Sequence, residues 1–356
     1  MNHRSLALLA VVGACLAPSA RGTFDWPRYL GPHSNGMVAG EVRTDWKSQP
    51  PKLLWKANVG KGCASFAVAG GKALTVGNAN DTDTVWCFDA ATGKVVWKHQ
   101  YVEKLAPKYY DGGPSCTPNI DGDRVFTLSK SGKLHCLDLA SGKPVWVKDL
   151  KKDFGGKPPT WGYAASPVVD GKLLYVLPCA KDGAFWALDK TTGTPVWKTK
   201  DRRKSGYCTP VLTEIGGKKA AIVFYGREVV AYDLESENRA VLFEYPWRTS
   251  YDVNASNPQY HDGKLFIASG YGKGYAVLDV TGAEPKVLHN EEDTRLIFQN
   301  SILTEGKITA VFGDKRLDAE LMRMDMATGR ILWKVKLPGS RGSSALIGDT
   351  LLALCE

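Results

Sequence analysis

The chain has 356 residues, of which 44% are hydrophobic and 23% charged, and it contains 11 tryptophans. This composition excludes a disordered chain and indicates a packed globular core. The net charge of +9 attracts anionic partners, but the lysines are scattered and form no recognisable nucleic-acid motif, so we predict no nucleic-acid partner.

The first 22 residues have the pattern of a secretory signal. Arg4 precedes a short apolar run, and small residues precede Gly22. The run is shorter than the about 20 residues that span a bilayer. We therefore predict a signal peptide at 1–22 and a secreted or periplasmic protein. Cys15 ends a stretch similar to a bacterial lipobox, so a lipoprotein that contacts the membrane through Cys15 is the alternative.

An oxygen-rich stretch at 78–83 is a candidate calcium loop. It lacks the glycine at the sixth position and the glutamate at the twelfth position of an EF-type loop. A polar hairpin turn is therefore expected, and no metal site is predicted.

A repeat organises the chain from about residue 53 onward. In four segments an Asp is followed by Gly four residues later and by Trp eight residues later: Asp89, Gly93 and Trp97; Asp138, Gly142 and Trp146; Asp189, Gly193 and Trp197; Asp325, Gly329 and Trp333. Two degenerate copies around Asp233 and Asp279 fill the gap, so successive aspartates are 44 to 51 residues apart. This period is that of one four-stranded propeller blade.

Each copy also carries the other strands of a blade. Asp-Gly turns at 121–122, 170–171 and 262–263 lie between runs rich in Val, Leu, Phe and Tyr, which is typical of β-hairpins. The repeated Asp favours the first position of a turn, where its carboxylate caps backbone N–H groups, so this turn joins the third strand to the fourth. The Trp then supplies a large apolar surface and one N–H donor per blade.

The two ends of the repeat region predict how the ring closes. Residues 53–56 resemble a lone fourth strand that completes the last blade, and residues 343–356 supply only the opening strands of another repeat. We therefore expect an all-β, eight-bladed propeller that is truncated at its C-terminus, with seven blades as the alternative. The expected domains are the signal at 1–22, a lead-in segment at 23–52 and the propeller at 53–356.

Few residues are candidates for chemistry. The histidines are dispersed over separate segments and are expected at the surface or in turns. No two cysteines are adjacent or in a CxxC arrangement, and Cys87 and Cys136 are expected to pack in the core. Residues 202–204 form one tight basic cluster, which is expected to be a solvated loop.

The Asp-Gly-Trp signature resembles that of the pyrroloquinoline-quinone-like (PQQ-like) repeat propellers, a group that includes the envelope lipoprotein BamB and the quinoprotein dehydrogenases. The resemblance implies that Trp97, Trp146, Trp197 and Trp333 make docking contacts between blades. Residues 25–36 are similar to the lead-in segment of secreted bacterial relatives. The two degenerate copies depart from the signature, which puts the tightness of their blade contacts in doubt.

The resemblance implies two different functions. A dehydrogenase of this kind would need a calcium-bound quinone and a vicinal disulfide, and the chain has no adjacent cysteine pair. We therefore expect no cofactor and no catalytic residues, and we expect a monomeric envelope scaffold with a protein partner. A quinoprotein-like oxidoreductase is the first alternative. A polysaccharide-binding module that uses exposed tryptophans at 26, 46, 161 and 247 is the second.

Overall fold

The computed structural model describes residues 24–108, 110–282, 284–313 and 319–355. The predicted signal and Cys15 therefore lie outside the described residues. Within these ranges the regular structure consists of 27 β-strands, which form seven sheets. The described residues include no helix with the length and hydropathy needed to cross a membrane.

Six of the sheets are four-stranded antiparallel blades with the strand order of the sequence. We number the blades along the chain. Blade 1 contains β2 (Ala67–Ala69), β3 (Lys72–Ala79), β4 (Thr82–Asp89) and β5 (Val95–Val102); blade 2 contains β6 (Asn119–Asp121), β7 (Arg124–Leu128), β8 (Lys133–Asp138) and β9 (Pro144–Asp149); blade 3 contains β10 (Val168–Asp170), β11 (Leu173–Val176), β12 (Trp186–Asp189) and β13 (Pro195–Lys198).

The second half of the molecule repeats this order. Blade 4 contains β14 (Val211–Ile215), β15 (Lys218–Phe224), β16 (Glu228–Asp233) and β17 (Val241–Pro246); blade 5 contains β18 (Gln259–His261), β19 (Lys264–Ser269), β20 (Gly274–Asp279) and β21 (Lys286–Glu291); blade 6 contains β22 (Ser301–Thr304), β23 (Lys307–Phe312), β24 (Glu320–Asp325) and β25 (Ile331–Lys336).

The seventh sheet differs from the other six. It contains β26 (Gly342–Ile347) and β27 (Thr350–Cys355), and β1 (Met37–Val38) from the lead-in pairs in parallel with β26. The expected closing strand at 53–56 is not part of this sheet, because residues 51–60 form no strand and Leu53 is 76% exposed. The structure thus shows seven blade-like sheets, and the eight-bladed ring stays a prediction.

The predicted turns fall between the predicted strands. Asp121-Gly122, Asp170-Gly171 and Asp262-Gly263 each join the first two strands of a blade, and all three glycines have positive φ. The candidate calcium loop is the turn between β3 and β4, where Asn80 and Asp81 have φ of 51° and 57°. Two residues with positive φ are the signature of a tight type I′ hairpin, so the expectation of a polar turn is confirmed.

The antiparallel order gives each blade two different ends. The turns between strands one and two, and between strands three and four, lie at one end, which we call the turn face. The hairpins between strands two and three, and the loops that connect one blade to the next, lie at the other end, which we call the loop face. The first strands of neighbouring blades contact one another, as β2 does with β6, so they lie innermost around the axis.

The core consists of apolar layers between neighbouring blades. One such layer joins Val85 and Cys87 of blade 1 to Val125 and Leu137 of blade 2, and all four side chains are fully buried. The thiols of Cys87 and Cys136 are buried as expected for packing residues. Because burial occurs mainly between blades, the contacts that hold neighbouring blades together determine the stability of the whole molecule.

Candidate functional site

The repeated aspartates cap the turn that joins the third strand to the fourth. Asp89 Oδ1 accepts a hydrogen bond from the backbone N–H of Thr92 at 2.8 Å and another from its hydroxyl at 2.7 Å. These hydrogen bonds lower the pKa of Asp89. Equivalent contacts occur between Asp138 and Ser141, Asp189 and Thr192, and Asp325 and Thr328.

The repeated tryptophans dock on the glycine turn of the following blade. Trp97 Nε1 donates to the carbonyl oxygen of Leu139 at 2.9 Å, and the indole lies against Gly142. A Cβ on Gly142 would be 2.5 Å from the indole, and the residue has φ of +70°, so glycine is required on two counts. The same contacts join Trp55 to Ala90 and Gly93, and Trp146 to Lys190 and Gly193.

A one-residue shift in strand pairing directs each tryptophan side chain toward the following blade. In blade 1, Cys87 pairs with Trp97 but the next residue, Phe88, pairs with Val95, so Val96 is an extra residue in the ladder. The third and fourth strands of all six four-stranded blades have such a shift at the equivalent place. A β-bulge of this kind redirects a side chain, and the eight-residue spacing from Asp to Trp includes it.

Blade 4 receives its tryptophan in a different way. Its turn is longer, and Arg239 occupies the position of the glycine with φ of 52°. The guanidinium carbon of Arg239 lies 4.7 Å from the centroid of the Trp197 ring. A cation–π contact therefore replaces the contact between indole and glycine at this boundary.

The degenerate copies place other side chains in the tryptophan position. Phe243 of blade 4 faces Ala231 in the ladder and is buried, and His289 of blade 5 faces Val277. His289 lies against Gly329, and its Nε2 is 3.0 Å from the carbonyl oxygen of Ala327.

Trp333 of blade 6 belongs to a complete copy of the signature but is 40% exposed, since the seventh sheet contains no third and fourth strands to receive it.

A belt of polar side chains links the innermost strands. The N–H of Thr117 donates to Ser166 Oγ at 2.9 Å, and the N–H of Ser166 donates to Thr209 Oγ1 at 3.0 Å. The amides of Asn257 and Asn300 donate to carbonyl oxygens of the neighbouring blade in the same manner. The belt is not among the predicted features, although a Ser, Thr or Asn before Pro118, Pro167, Pro210 and Pro258 is the sequence signal that marks most of it.

The lead-in segment crosses the turn face between opposite sides of the molecule. It bonds to the innermost strands of blades 1, 2, 3 and 7 through Trp26 with Val68, Pro27 with Ile120, Arg28 with Val169, and Gly36 with Leu346. Gly36 also lies close to Asn300 and Ile302 of blade 6. Leu30, between these contacts, is buried. The protein's own chain therefore covers the axis at the turn face.

Aromatic side chains gather at the loop face. Tyr110, Trp161 and Tyr207 come from three successive blade-to-blade loops and bond to one another. The Tyr110 hydroxyl donates to the backbone carbonyl oxygen of Trp161 at 3.1 Å, and the backbone N–H of Trp161 donates to the Tyr207 hydroxyl at 3.4 Å. Tyr251, 62% exposed, comes from the next loop and contacts Tyr271 edge to face at 5.5 Å. We call these five residues the aromatic rim.

The tryptophans outside the repeat differ in exposure. Trp46 is 43% exposed, whereas Trp26 and Trp161 are half-buried. Trp247 is 3% exposed and donates from Nε1 to Ser269 Oγ at 3.1 Å. The exposed stacking surface at Trp247 that the polysaccharide-binding alternative requires is therefore excluded, because the indole is part of the layer between blades 4 and 5.

A buried polar network, which we call the polar seam, lies between blades 1 and 2. Asn78 donates to Asp83 at 2.7 Å, and Tyr101 donates to the same carboxylate at 3.3 Å. The ring of His135 stacks on Tyr101 at 4.4 Å, and the ring of His99 lies 5.2 Å from His135. The expectation that the histidines lie at the surface is wrong for His135, which is 3% exposed because its strand position faces blade 1.

Burial controls protonation in the polar seam. It raises the pKa of Asp83 to about 6, although the hydrogen bond from Asn78 acts in the opposite direction. Burial and the neighbouring His99 lower the pKa of His135 to about 4. Further charged groups beside the seam are Glu103 and Lys133, whose Oε2 and Nζ are 3.4 Å apart, and the buried Lys130, which interacts electrostatically with Glu103 and Asp83.

The residues around the axis do not fit a calcium-bound quinone of the quinoprotein kind. Within the described ranges, no three His, Cys, Asp or Glu side chains come together as a metal site. The hydroxyls of Ser166 and Thr209 accept hydrogen bonds from the backbone of the neighbouring blade, whereas Asn119 Oδ1 and Asn257 Oδ1 are buried without a partner among the described residues. The sequence offers no adjacent cysteines for a vicinal disulfide.

Four-stranded blades joined by aromatic docking contacts define a PQQ-like repeat β-propeller. The family model described as "Outer membrane protein assembly factor BamB" matches residues 46–113 and 102–335. The chain therefore belongs to this family. No curated protein matches it in sequence.

Solved structures share the fold at low sequence identity. The crystal structure of BamB from Moraxella catarrhalis aligns with a TM-score of 0.58 and 18% identity over 83% of this chain and 82% of that one. A europium-containing methanol dehydrogenase gives 0.60 and 14% over 86% and 76%. The quinohemoprotein alcohol dehydrogenase from Comamonas testosteroni gives 0.61 and 12% over 94% and 72%. At these identities the likeness shows the fold alone.

Proposed function

We propose that the protein is a non-catalytic binding propeller of the bacterial cell envelope whose loop face holds a protein partner. The observation that carries this proposal is the difference between the two ends of the axis. The turn face is covered by the lead-in segment, whereas the loop face presents the aromatic rim on loops of successive blades. Aromatic side chains are enriched in protein interfaces, and loops on a rigid scaffold often carry the binding residues.

The family supports an envelope location. The name of its model refers to outer membrane protein assembly, and a protein in that compartment fits the secretory signal predicted at 1–22. We propose a monomer that is secreted to the periplasm, with lipid anchoring at Cys15 as the alternative. No nucleic acid is proposed as a partner.

Site-specific photo-crosslinking tests the proposed face. A crosslinking residue at Tyr251, on the loop face, is compared with one at Ala140, an exposed position in the turn between β8 and β9 on the turn face. With envelope extract, we expect a discrete protein adduct at position 251 that excess unlabelled protein suppresses, and no such adduct at position 140. Equal adducts at both positions would contradict a specific loop-face interface.

The second candidate is a quinone-dependent oxidoreductase, which the fold of the two dehydrogenases suggests. The residues around the axis argue against it, because the described ranges contain no group of three metal-ligating side chains and the sequence has no adjacent cysteines. Purified protein mixed with pyrroloquinoline quinone and calcium is expected to retain no visible chromophore after gel filtration and to reduce no dye. A retained chromophore would overturn the non-catalytic proposal.

A further inference from the structure

A cavity of about 430 Å³ opens at the loop face between blades 3 and 4. Its volume is in the range of small-molecule sites. Six cationic side chains line it: Lys157, Lys181, Arg202, Arg203, Lys204 and Arg227. Pro158 and the buried residues Cys179 and Ser205 complete the lining. The basic cluster at 202–204, expected to be a solvated loop, has Arg202 and Lys204 exposed and also lines this concave surface, which we call the basic cavity.

Two of the six cations are neutralised by carboxylates. Arg203 lies 2.7 Å from Asp201 and 2.7 Å from Glu244. Burial alone would lower the pKa of Arg203, but these hydrogen bonds raise it. Arg227 bonds to both carboxylate oxygens of Asp252 at 3.1 Å. These two arginines therefore serve mainly to hold the walls of the cavity.

The other four cations have no such partner. Among the described residues, none of the four exposed side chains Lys157, Lys181, Arg202 and Lys204 forms an ion pair within 4.0 Å. The carboxylate that interacts with Lys204 is engaged by Arg227: burial alone would raise the pKa of Asp252, but Arg227 lowers it, and Lys204 adds a smaller effect in the same direction. Like charges that converge on one concave surface repel one another and concentrate a positive potential there. A bound anion would relieve this repulsion, whereas separate solvated lysines on a convex surface would not need one.

The backbone around the basic cavity is tied together. The hydroxyl of Ser205 donates to the carbonyl oxygen of Lys157. The N–H of Lys157 donates to Pro178 at 2.8 Å, and the N–H of Gly226 donates to Lys204 at 2.9 Å. Loops from blades 2, 3 and 4 thus fix the backbone positions of the cations, and this reduces the entropy lost when they bind a ligand.

We propose that the basic cavity binds a phosphomonoester carried on a group the size of a sugar. A phosphate carries up to two negative charges and three acceptor oxygens, which matches several converging ammonium groups and a guanidinium better than a single carboxylate does. The volume exceeds what an inorganic ion needs, since one water takes about 30 Å³ in the liquid. The ligand could be a soluble sugar phosphate or a phosphorylated lipid headgroup.

Calorimetry with the full chain in about 150 mM salt tests the site, because this ionic strength screens weak surface attraction. The probes are glucose 6-phosphate, glucose, glucuronate, an acidic heptapeptide, and vesicles with or without phosphatidic acid. We expect binding of glucose 6-phosphate or of phosphatidic acid vesicles, and the arm that responds identifies the source of the phosphate. Binding of glucuronate or the peptide as tightly as the phosphate probes would overturn the proposal.

A matched pair of variants separates the cavity from net charge. The double variant R202Q/K204Q removes two cations from the basic cavity, and K151Q/K152Q removes two exposed cations from the loop that follows β9. We expect at least a tenfold loss of affinity in the first and less than a twofold change in the second, with unchanged thermal unfolding in both. Equal losses in the two variants, or no binding by the unaltered protein, would refute the site.

Discussion

At the scale of single residues, the spacing of Asp, Gly and Trp predicts the turns and the blades, but not every contact that they make. The pattern places the Trp on the fourth strand of each blade, because the apolar alternation of that strand can be followed in the sequence. The bulge opposite Cys87 is not visible there, because it depends on the pairing of two strands. For the same reason Arg239 and His289, which replace elements of the signature, could not be recognised.

Substitution of Gly142 by Ala measures the docking contact directly. The left-handed conformation at φ +70° costs a non-glycine residue about 1–2 kcal/mol. A methyl group 2.5 Å from the Trp97 ring adds an overpacking cost of about 1–3 kcal/mol. We expect denaturant unfolding to show a loss of about 2–5 kcal/mol in the free energy of unfolding.

Gly122 provides the control for this substitution. It also has positive φ, at +58°, but no atom lies within 4 Å of the position that its Cβ would occupy. Gly122→Ala should therefore lose only the conformational part, about 1–2 kcal/mol. If both variants lost the same stability, the indole contact would contribute nothing to the difference.

At the scale of strands and blades, the sequence predicts the apolar layers but not the polar seam. His99 and His135 are 36 residues apart and share no local motif. They come together because β5 of blade 1 and β8 of blade 2 face each other one repeat apart. Contacts between blades can therefore be predicted only when one repeat is aligned with the next. The short residue spacings of metal or catalytic motifs do not reveal them.

The polar seam predicts two opposite pH dependences. Between about pH 4 and 6 native Asp83 is protonated whereas the unfolded group is ionised, so its contribution to stability falls as pH rises. Over a similar range native His135 is neutral whereas the unfolded group is protonated, so its contribution rises with pH. The two slopes, each at most about 1.4 kcal/mol per pH unit, largely cancel in the unaltered protein.

Single variants should reveal each slope in urea unfolding measured from pH 4 to pH 6.5. The stability of Asp83→Asn relative to the unaltered protein is expected to increase with pH. For His135→Gln the relative stability is expected to decrease with pH. Asp123→Asn, at a side chain that is 79% exposed, serves as the control. Parallel pH profiles for all four proteins would show that the seam does not titrate in this way.

At the scale of the whole molecule, the period of the repeat predicts a ring of blades, whereas the position of the lead-in segment is not contained in any local pattern. Residues 25–36 have no strand alternation and no repeat. Their place follows from unpaired backbone groups on the innermost strands of several blades, which become adjacent only when the ring forms. The expected closing strand at 53–56 forms no strand, although Trp55 docks on Ala90 and Gly93 as the repeat tryptophans do on the next blade.

The contacts of the lead-in segment predict that it stays bound when its covalent link is cut. A recognition site for a specific protease is inserted between Pro50 and Pro51, in an exposed stretch that precedes blade 1. After cleavage, we expect the N-terminal fragment to co-elute with the propeller in gel filtration, because its hydrogen bonds reach opposite sides of the ring and Leu30 is buried. The same cleavage in a Leu30→Asp variant should release the fragment, since an unpaired carboxylate is costly to bury. Release of the fragment from the unaltered sequence would mean that the segment lies on the turn face only because the chain tethers it there.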